Sequence, residues 1–225
     1  VFVEFCLLFV VAPALILGIA AQFIVRSTFA RAQAPTIRAS GFAVVRKMLD
    51  AAGLEDVRIE QIPGTLNDQY DARSKVLRLS ADVFHGQSLA ALGIAAHESG
   101  HALQHQAGYL PLVVRGIAIP AALYGSPCGL LLVLSGVVYQ PLLVLGTVLF
   151  GAAVALQLIS LPVEFDASRR ALRELVDLEL VEGADVHAVG SVLNASALAG
   201  LAVTLQSLVT VTAALFRFLR VGVRK

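Results

Sequence analysis

Apolar residues in this chain gather into four stretches, roughly Phe5–Val25, Gly116–Val138, Pro141–Leu161 and Val192–Phe216, with the polar residues between them. Crossing a bilayer takes about 20 apolar residues, so each stretch is long enough to span. The fourth carries Asn194, Thr204, Gln206, Ser207, Thr210 and Thr212. It reads as a bundle helix that turns its polar side to its neighbours, with a re-entrant or interfacial segment as the alternative. The first has no basic region ahead of it and is too long for a signal core, so it reads as an uncleaved anchor. Tyr139-Gln140 is nearly all that joins the second and third stretches, so the chain returns to its starting side. The polar portions Arg26–Arg115 and Glu164–Ser191 then face one compartment.

The division expected is a transmembrane anchor at 1–25, a cytoplasm-facing catalytic portion at 26–115, two transmembrane helices at 116–161, a further helix at 162–191, and a fourth membrane helix with a basic tail at 192–225. The cytoplasmic assignment follows Arg26, Arg31, Arg38, Arg46, Lys47, Arg169, Arg170 and Arg173 under the positive-inside rule. Arg217, Arg220, Arg224 and Lys225 argue the other way if the fourth stretch crosses.

Inside the first polar portion the pattern shortens. Ser40 is placed to cap a helix with Val44, Val45, Met48, Leu49 and Ala52 on one face, ended by Gly53. Val57–Ile62 and Lys75–Leu79 alternate or are β-branched and read as strands, the second offering an edge to an extended substrate. Ser88 caps a helix from Leu89 to about Gln106, stopped at Gly108, whose first half is apolar nearly all round. Pro162 resets the backbone, and a helix follows with Arg170–Glu174 and Arg173–Asp177 as charge pairs on its exposed side.

Composition agrees with the membrane reading: of 225 residues, 57% are hydrophobic and 15% charged, with mean hydropathy +0.80. Soluble domains carry about 25% charged residues. A formal net charge of +1 gives no electrostatic case for nucleic acid. Cys6 and Cys128 both lie in apolar stretches and lack metal-ligand spacing, so they read as buried small hydrophobes.

The chemistry sits on the helix after Ser88, at His97-Glu98-Ser99-Gly100-His101. In H-E-x-x-H two imidazoles four residues apart share a helix face and can grip one ion, while the glutamate addresses a water. A catalytic zinc usually has a third protein ligand. Gln104 and Ala107 exclude the extended pattern with glycine and a third histidine. His105 lies about 12 Å along the axis from His97, too far to share its ion. Glu164 and Asp166, in Leu161-Pro162-Val163-Glu164-Phe165-Asp166-Ala167-Ser168, are both candidates on geometry. Glu164 would occupy the first turn of its helix, where complementing the helix dipole is the bland alternative. Tyr70, Tyr109, Arg115 and His187 share the right side of the membrane as candidate oxyanion donors.

Asp68-Gln69-Tyr70-Asp71, Val76-Leu77-Arg78-Leu79-Ser80, Ala95 to Ala102 and Leu161 to Ser168 occur in an order that resembles the YugP-like family of bacterial membrane neutral zinc metallopeptidases. The resemblance covers essentially the whole chain. It implies His97, His101 and Glu164 as ligands of one Zn2+ per chain, with Glu98 as general base. The segment around Glu164 is also similar to the third-ligand segment of HtpX-like and prenyl-protein membrane peptidases, where an aspartate supports a ligand histidine. Here that place is Ser168, which leaves Asp166 as a possible support; the family pattern also has histidine at Gln69 and a bulkier residue at Ser99.

The fold class expected is α+β: a minimal gluzincin-like core, a short sheet plus the H-E-x-x-H helix, on a mostly helical bundle of about four spans. The function implied is a membrane-integral zinc metalloendopeptidase of the bacterial inner membrane, its site facing the cytoplasm. Its partners would be a protein or peptide substrate and membrane lipid, with no nucleic acid. A membrane scaffold with a structural or vestigial zinc site is the competing reading.

Overall fold

In the computed structural model the described residues are Ile16, Ile19, Ala20, Phe23, Ile24, 26–32, 39–64, 67–136 and 138–222. The first predicted stretch, Phe5–Val25, and Cys6 within it, therefore lie mostly outside the described residues. After a helical segment at 26–31, the chain forms α1 (Gly41–Ala51), β1 (Arg58–Ile62), β2 (Gln69–Asp71), β3 (Val76–Ser80) and the short α2 (Ala81–Phe84). Then come α3 (Leu89–Gln106), α4 (Leu110–Ser135), α5 (Gln140–Asp177) and α6 (Ala184–Gly222).

Local chemistry sets the short elements. The Ser40 hydroxyl accepts the Ala43 N–H and caps α1, whose Val44, Val45, Met48 and Leu49 are fully buried. At the far end Gly53 takes φ 70°, which lets the Leu54 N–H turn back to the Leu49 carbonyl at 2.8 Å. Helix α3 is built alike: Ser88 accepts from Ala91, and Gly108 at φ 62° brings the Tyr109 N–H to the Gln104 carbonyl.

The sheet runs β1-β3-β2, with β1 parallel and β2 antiparallel to β3. This corrects the expectation for Lys75–Leu79: that strand is central, both its edges are paired, and it has none to offer a substrate. The outer edges belong to β1 and to β2, the latter three residues long and so too short to display a period in the sequence. Asp68 fastens it, accepting the Ser80 N–H at 2.7 Å and the Ser80 hydroxyl at 3.0 Å.

Helix α3 lies between two apolar clusters. Leu92 and Ala96 pack with Val44, Met48, Ala171, Leu175, Val189 and Val192. Ala95 and Ala102 pack with Val45, Leu49, Leu77 and Leu79. Each fully buried Leu or Met in these clusters contributes about 1.5–3 kcal/mol. Small residues set the approach of the neighbouring helices: a Cβ on Gly93 would press on Val192, and one on Gly100 would collide with the Ala167 carbonyl.

Two sequence expectations change here. Pro162 does not begin a helix; it lies inside α5, which is continuous from Gln140 to Asp177. Glu164 is therefore mid-helix and has no helix terminus to complement. The stretch Val192–Phe216 is likewise not a separate helix but part of α6.

Cα packing divides the chain into two compact units, one comprising 23–113 with 162–198 and the other 1–22, 114–161 and 199–225. In the latter, α4 and α5 pack through glycine: Gly129 lies on the Phe150 backbone, Gly146 on Leu132 and Val133, and Gly136 on Leu143. Large apolar side chains there face outward, with Tyr124 70% and Val148 67% exposed. Cys128 is exposed as well, against the expectation that it is buried. Among the described residues one helix, α5, is long and apolar enough to cross a membrane by length and composition. The structure is mostly helical with one small sheet, and a bundle of four spans remains an expectation from sequence.

Candidate metal centre

Helix α3 and the second half of α5 meet where the Gly100 backbone touches the Ala167 carbonyl. That close approach brings the His97 and His101 side chains onto Glu164. One ligand atom from each residue falls within 4.8 Å of the others. His97 Nε2 lies 2.9 Å from Glu164 Oε2, and His101 Nε2 lies 3.9 Å from Glu164 Oε1. The imidazole rings stand edge to face, 4.8 Å between centroids. Both histidines are buried and Glu164 is half-buried.

The opposite ring nitrogens report how the imidazoles are held. Ser168 spends its single hydroxyl proton on the Leu193 carbonyl at 3.2 Å. Its oxygen then has a lone pair to accept from His97 Nδ1, 3.1 Å away. Gln104 is fully buried, and its amide nitrogen donates to the Val163 carbonyl at 2.8 Å and to Asp166 Oδ2 at 2.9 Å. Its oxygen is thereby aimed at His101 Nδ1, 3.0 Å away. With Nδ1 as the donor in each ring, Nε2 is left to face Glu164, the tautomer a metal ligand needs. Two imidazole nitrogens and a carboxylate, compactly placed and held from behind, fit zinc.

Glu98 is buried beside this cluster, and Oε2 accepts the backbone N–H of Tyr70 at 2.9 Å. Burial pushes its carboxyl up to about 7 against the pull of His97; Glu164 adds to the rise, the Tyr70 N–H opposes it, and Asp68 adds again. A divalent cation at the cluster would draw it down again and keep it ionised as a base. The Tyr70 hydroxyl points elsewhere, 2.9 Å from His105 Nδ1. Burial raises it to about 12, with Asp56 and Asp71 adding to the effect.

Asp166 reaches His101 through Gln104. Its Oδ2 accepts both Gln104 Nε2 at 2.9 Å and Arg170 Nε at 2.6 Å. Partial burial would raise its carboxyl, but Gln104 and Arg170, helped by Arg169, outweigh that and hold it below the usual range. Arg170 therefore turns back to Asp166 instead of forward to Glu174, the partner expected from spacing, and its guanidinium lies over the Tyr109 ring. His187 is exposed on α6, outside the group that converges on Glu164. Ser168 and Gln104 are the residues that sequence reasoning passed over. The first reads as a departure from a pattern and the second only as an absent glycine. Both signals become visible only once α3 and α5 are side by side.

Two comparisons bear on this site. The profile of a family described as "Putative neutral zinc metallopeptidase" matches residues 7–219. The chain is also 42% identical, over 206 residues, to "Putative membrane protease YugP" of Bacillus subtilis (strain 168), covering 89% of this chain and 91% of that protein. No solved structure matches.

Proposed function

The chain belongs to this family of neutral zinc metallopeptidases, and on that premise we propose that it is a membrane-integral endopeptidase with His97, His101 and Glu164 as ligands of one zinc ion and Glu98 as general base. The observation that carries the reading is the convergence of the three donor side chains with the Glu98 carboxyl buried beside them. Zinc in such a site supplies Lewis acidity, which polarises a carbonyl oxygen and acidifies water.

The protein's own groups do the rest. Ser168 and Gln104 keep Nε2 of each imidazole turned toward the ion. Glu98 takes the proton of the attacking water and returns it to the departing amine. The Tyr70 N–H holds that carboxylate in place and ties it to β2. Because this N–H points away from β3, the Tyr70 carbonyl shares its direction in an antiparallel strand. An extended peptide beside β2 would find that carbonyl as an acceptor for its own N–H. The developing oxyanion needs a donor as well. The Tyr70 hydroxyl is engaged with His105, and His187 is exposed away from the cluster, so neither is assigned that role.

The membrane part of the reading rests on α5, on the outward apolar side chains of α4 and α5, and on the name of the Bacillus subtilis relative. The excess of basic residues at 26–47 and 169–173 favours a cytoplasmic site in the inner membrane of a bacterium. Protein or peptide is the substrate and lipid the surroundings.

The test is cleavage of an unfolded reporter protein by detergent-purified wild type and Glu98→Gln, with zinc measured on both. Glu98→Gln is expected to keep its zinc and lose about 10²–10⁴-fold in turnover. Unchanged turnover in that variant overturns the mechanism. Zinc in both proteins with cleavage by neither favours a scaffold with a structural site.

A further inference from the structure

One buried amide connects all the pieces that hold the second half of the centre. Gln104 is on α3, one turn beyond His101, and is fully buried. Its oxygen accepts from His101, and its nitrogen donates to the Val163 carbonyl and to Asp166, the positions that flank Glu164 on α5. Asp166 is in turn held by Arg170, whose guanidinium lies over Tyr109 just past the end of α3. The network begins on α3, passes through α5 and ends at Tyr109, between α3 and α4.

We propose that Gln104 is the positioning residue of the metal centre, locking the His101 ring and, with the same amide, setting where α5 presents Glu164. This rests on the metal-centre reading above and goes beyond it by assigning the coupling between two ligands to a residue that touches neither metal nor substrate. The orientation of the amide follows from its surroundings. Two acceptors, a main-chain carbonyl and a carboxylate, face its nitrogen, so a flipped amide would set oxygen against oxygen twice. Asp166 thus selects the face of Gln104 that His101 meets. Packing alone makes no such demand: methionine would fill nearly the same volume.

The experiment compares zinc affinity, by competition with a chromophoric chelator, and the visible absorption of the cobalt(II) form in three variants beside wild type. Gln104→Met removes every hydrogen bond. Gln104→Glu keeps the acceptor toward His101 but faces Asp166 with like charge. Asp166→Asn keeps an oxygen that can accept from both Gln104 and Arg170 and removes only the charge. The first two are expected to bind zinc about 10–100-fold more weakly, with a changed cobalt spectrum. Asp166→Asn is expected to keep most of the affinity and the wild-type spectrum. Gln104→Glu, nearly the same shape as glutamine, separates positioning from packing even if Gln104→Met folds poorly. Wild-type affinity and spectrum in both Gln104 variants, or a loss in Asp166→Asn as large as theirs, overturn the proposal alone. A wild type that takes up neither metal overturns the metal-centre reading and this proposal with it.

Discussion

A histidine ligand has two nitrogens, and the one that faces away from the ion decides whether the other is available. In this protein the two outward nitrogens are served by neutral groups, a serine hydroxyl for His97 and a glutamine oxygen for His101. Ser168→Ala leaves a buried N–H without an acceptor, which costs about 1–3 kcal/mol. Zinc affinity in that variant is expected to fall about tenfold or more, measured by chelator competition, with the fold retained because Ala167 and Ala171 already show that α5 accepts small residues here. Tyr70 yields a different prediction. Burial pushes its hydroxyl up to about 12, so it is expected to stay neutral throughout the working range and to add no alkaline limb to the pH–rate profile. Tyr70→Phe keeps the backbone N–H that holds Glu98, and its profile of kcat/KM between pH 6 and 10 should keep the wild-type shape. A limb that disappears in Tyr70→Phe would show that the hydroxyl titrates in catalysis after all.

Elements of ordinary kind make the site by an unusually close approach. Residues Gly93 and Gly100 lie seven apart on α3 and meet different neighbours, a side chain in one case and a main-chain carbonyl in the other. The Val192 side chain can give way to an added methyl, whereas the Ala167 carbonyl moves only if α5 moves. Gly100→Ala is therefore expected to lose about 1–3 kcal/mol of stability, more than Gly93→Ala, as judged by thermal melting of both variants. Gly100→Ala should also weaken zinc binding, since α5 carries Glu164; equal effects of the two substitutions would contradict this picture. Both helix caps of α1 and α3, and their glycine ends, could be read from short local patterns. Strand β2 and the course of α5 could not. Three residues carry no periodicity, and a proline reads as a boundary although packing can hold it inside a helix.

At the scale of the whole molecule, the residues of the centre all belong to one compact unit, assembled from 23–113 and 162–198. A metal bound to folded protein alone stabilises by RT ln(1 + [L]/Kd), about 4 kcal/mol at a thousandfold excess over Kd. Removing zinc with a chelator should lower the melting temperature of wild type and of Glu98→Gln by similar amounts and that of His101→Ala hardly at all. A chelator shift as large in His101→Ala as in wild type would place the stabilising metal elsewhere. The sequence by itself determined the motif, its helix, both caps, two of the three strands and the apolar character of the long helices, because each is written in residues within a few positions of one another. It also narrowed the third ligand to Glu164 or Asp166, with a family resemblance favouring Glu164. Only the tertiary structure decided that β3 is central and that Glu164 lies mid-helix facing both histidines. The partners of their outward nitrogens were decided there too. Ser168 lies 71 residues from His97, and Gln104, although three from His101, takes its orientation from Val163 and Asp166, 59 and 62 residues away. Hydrogen bonds of that kind exist only after two helices have packed, and no local pattern announces them.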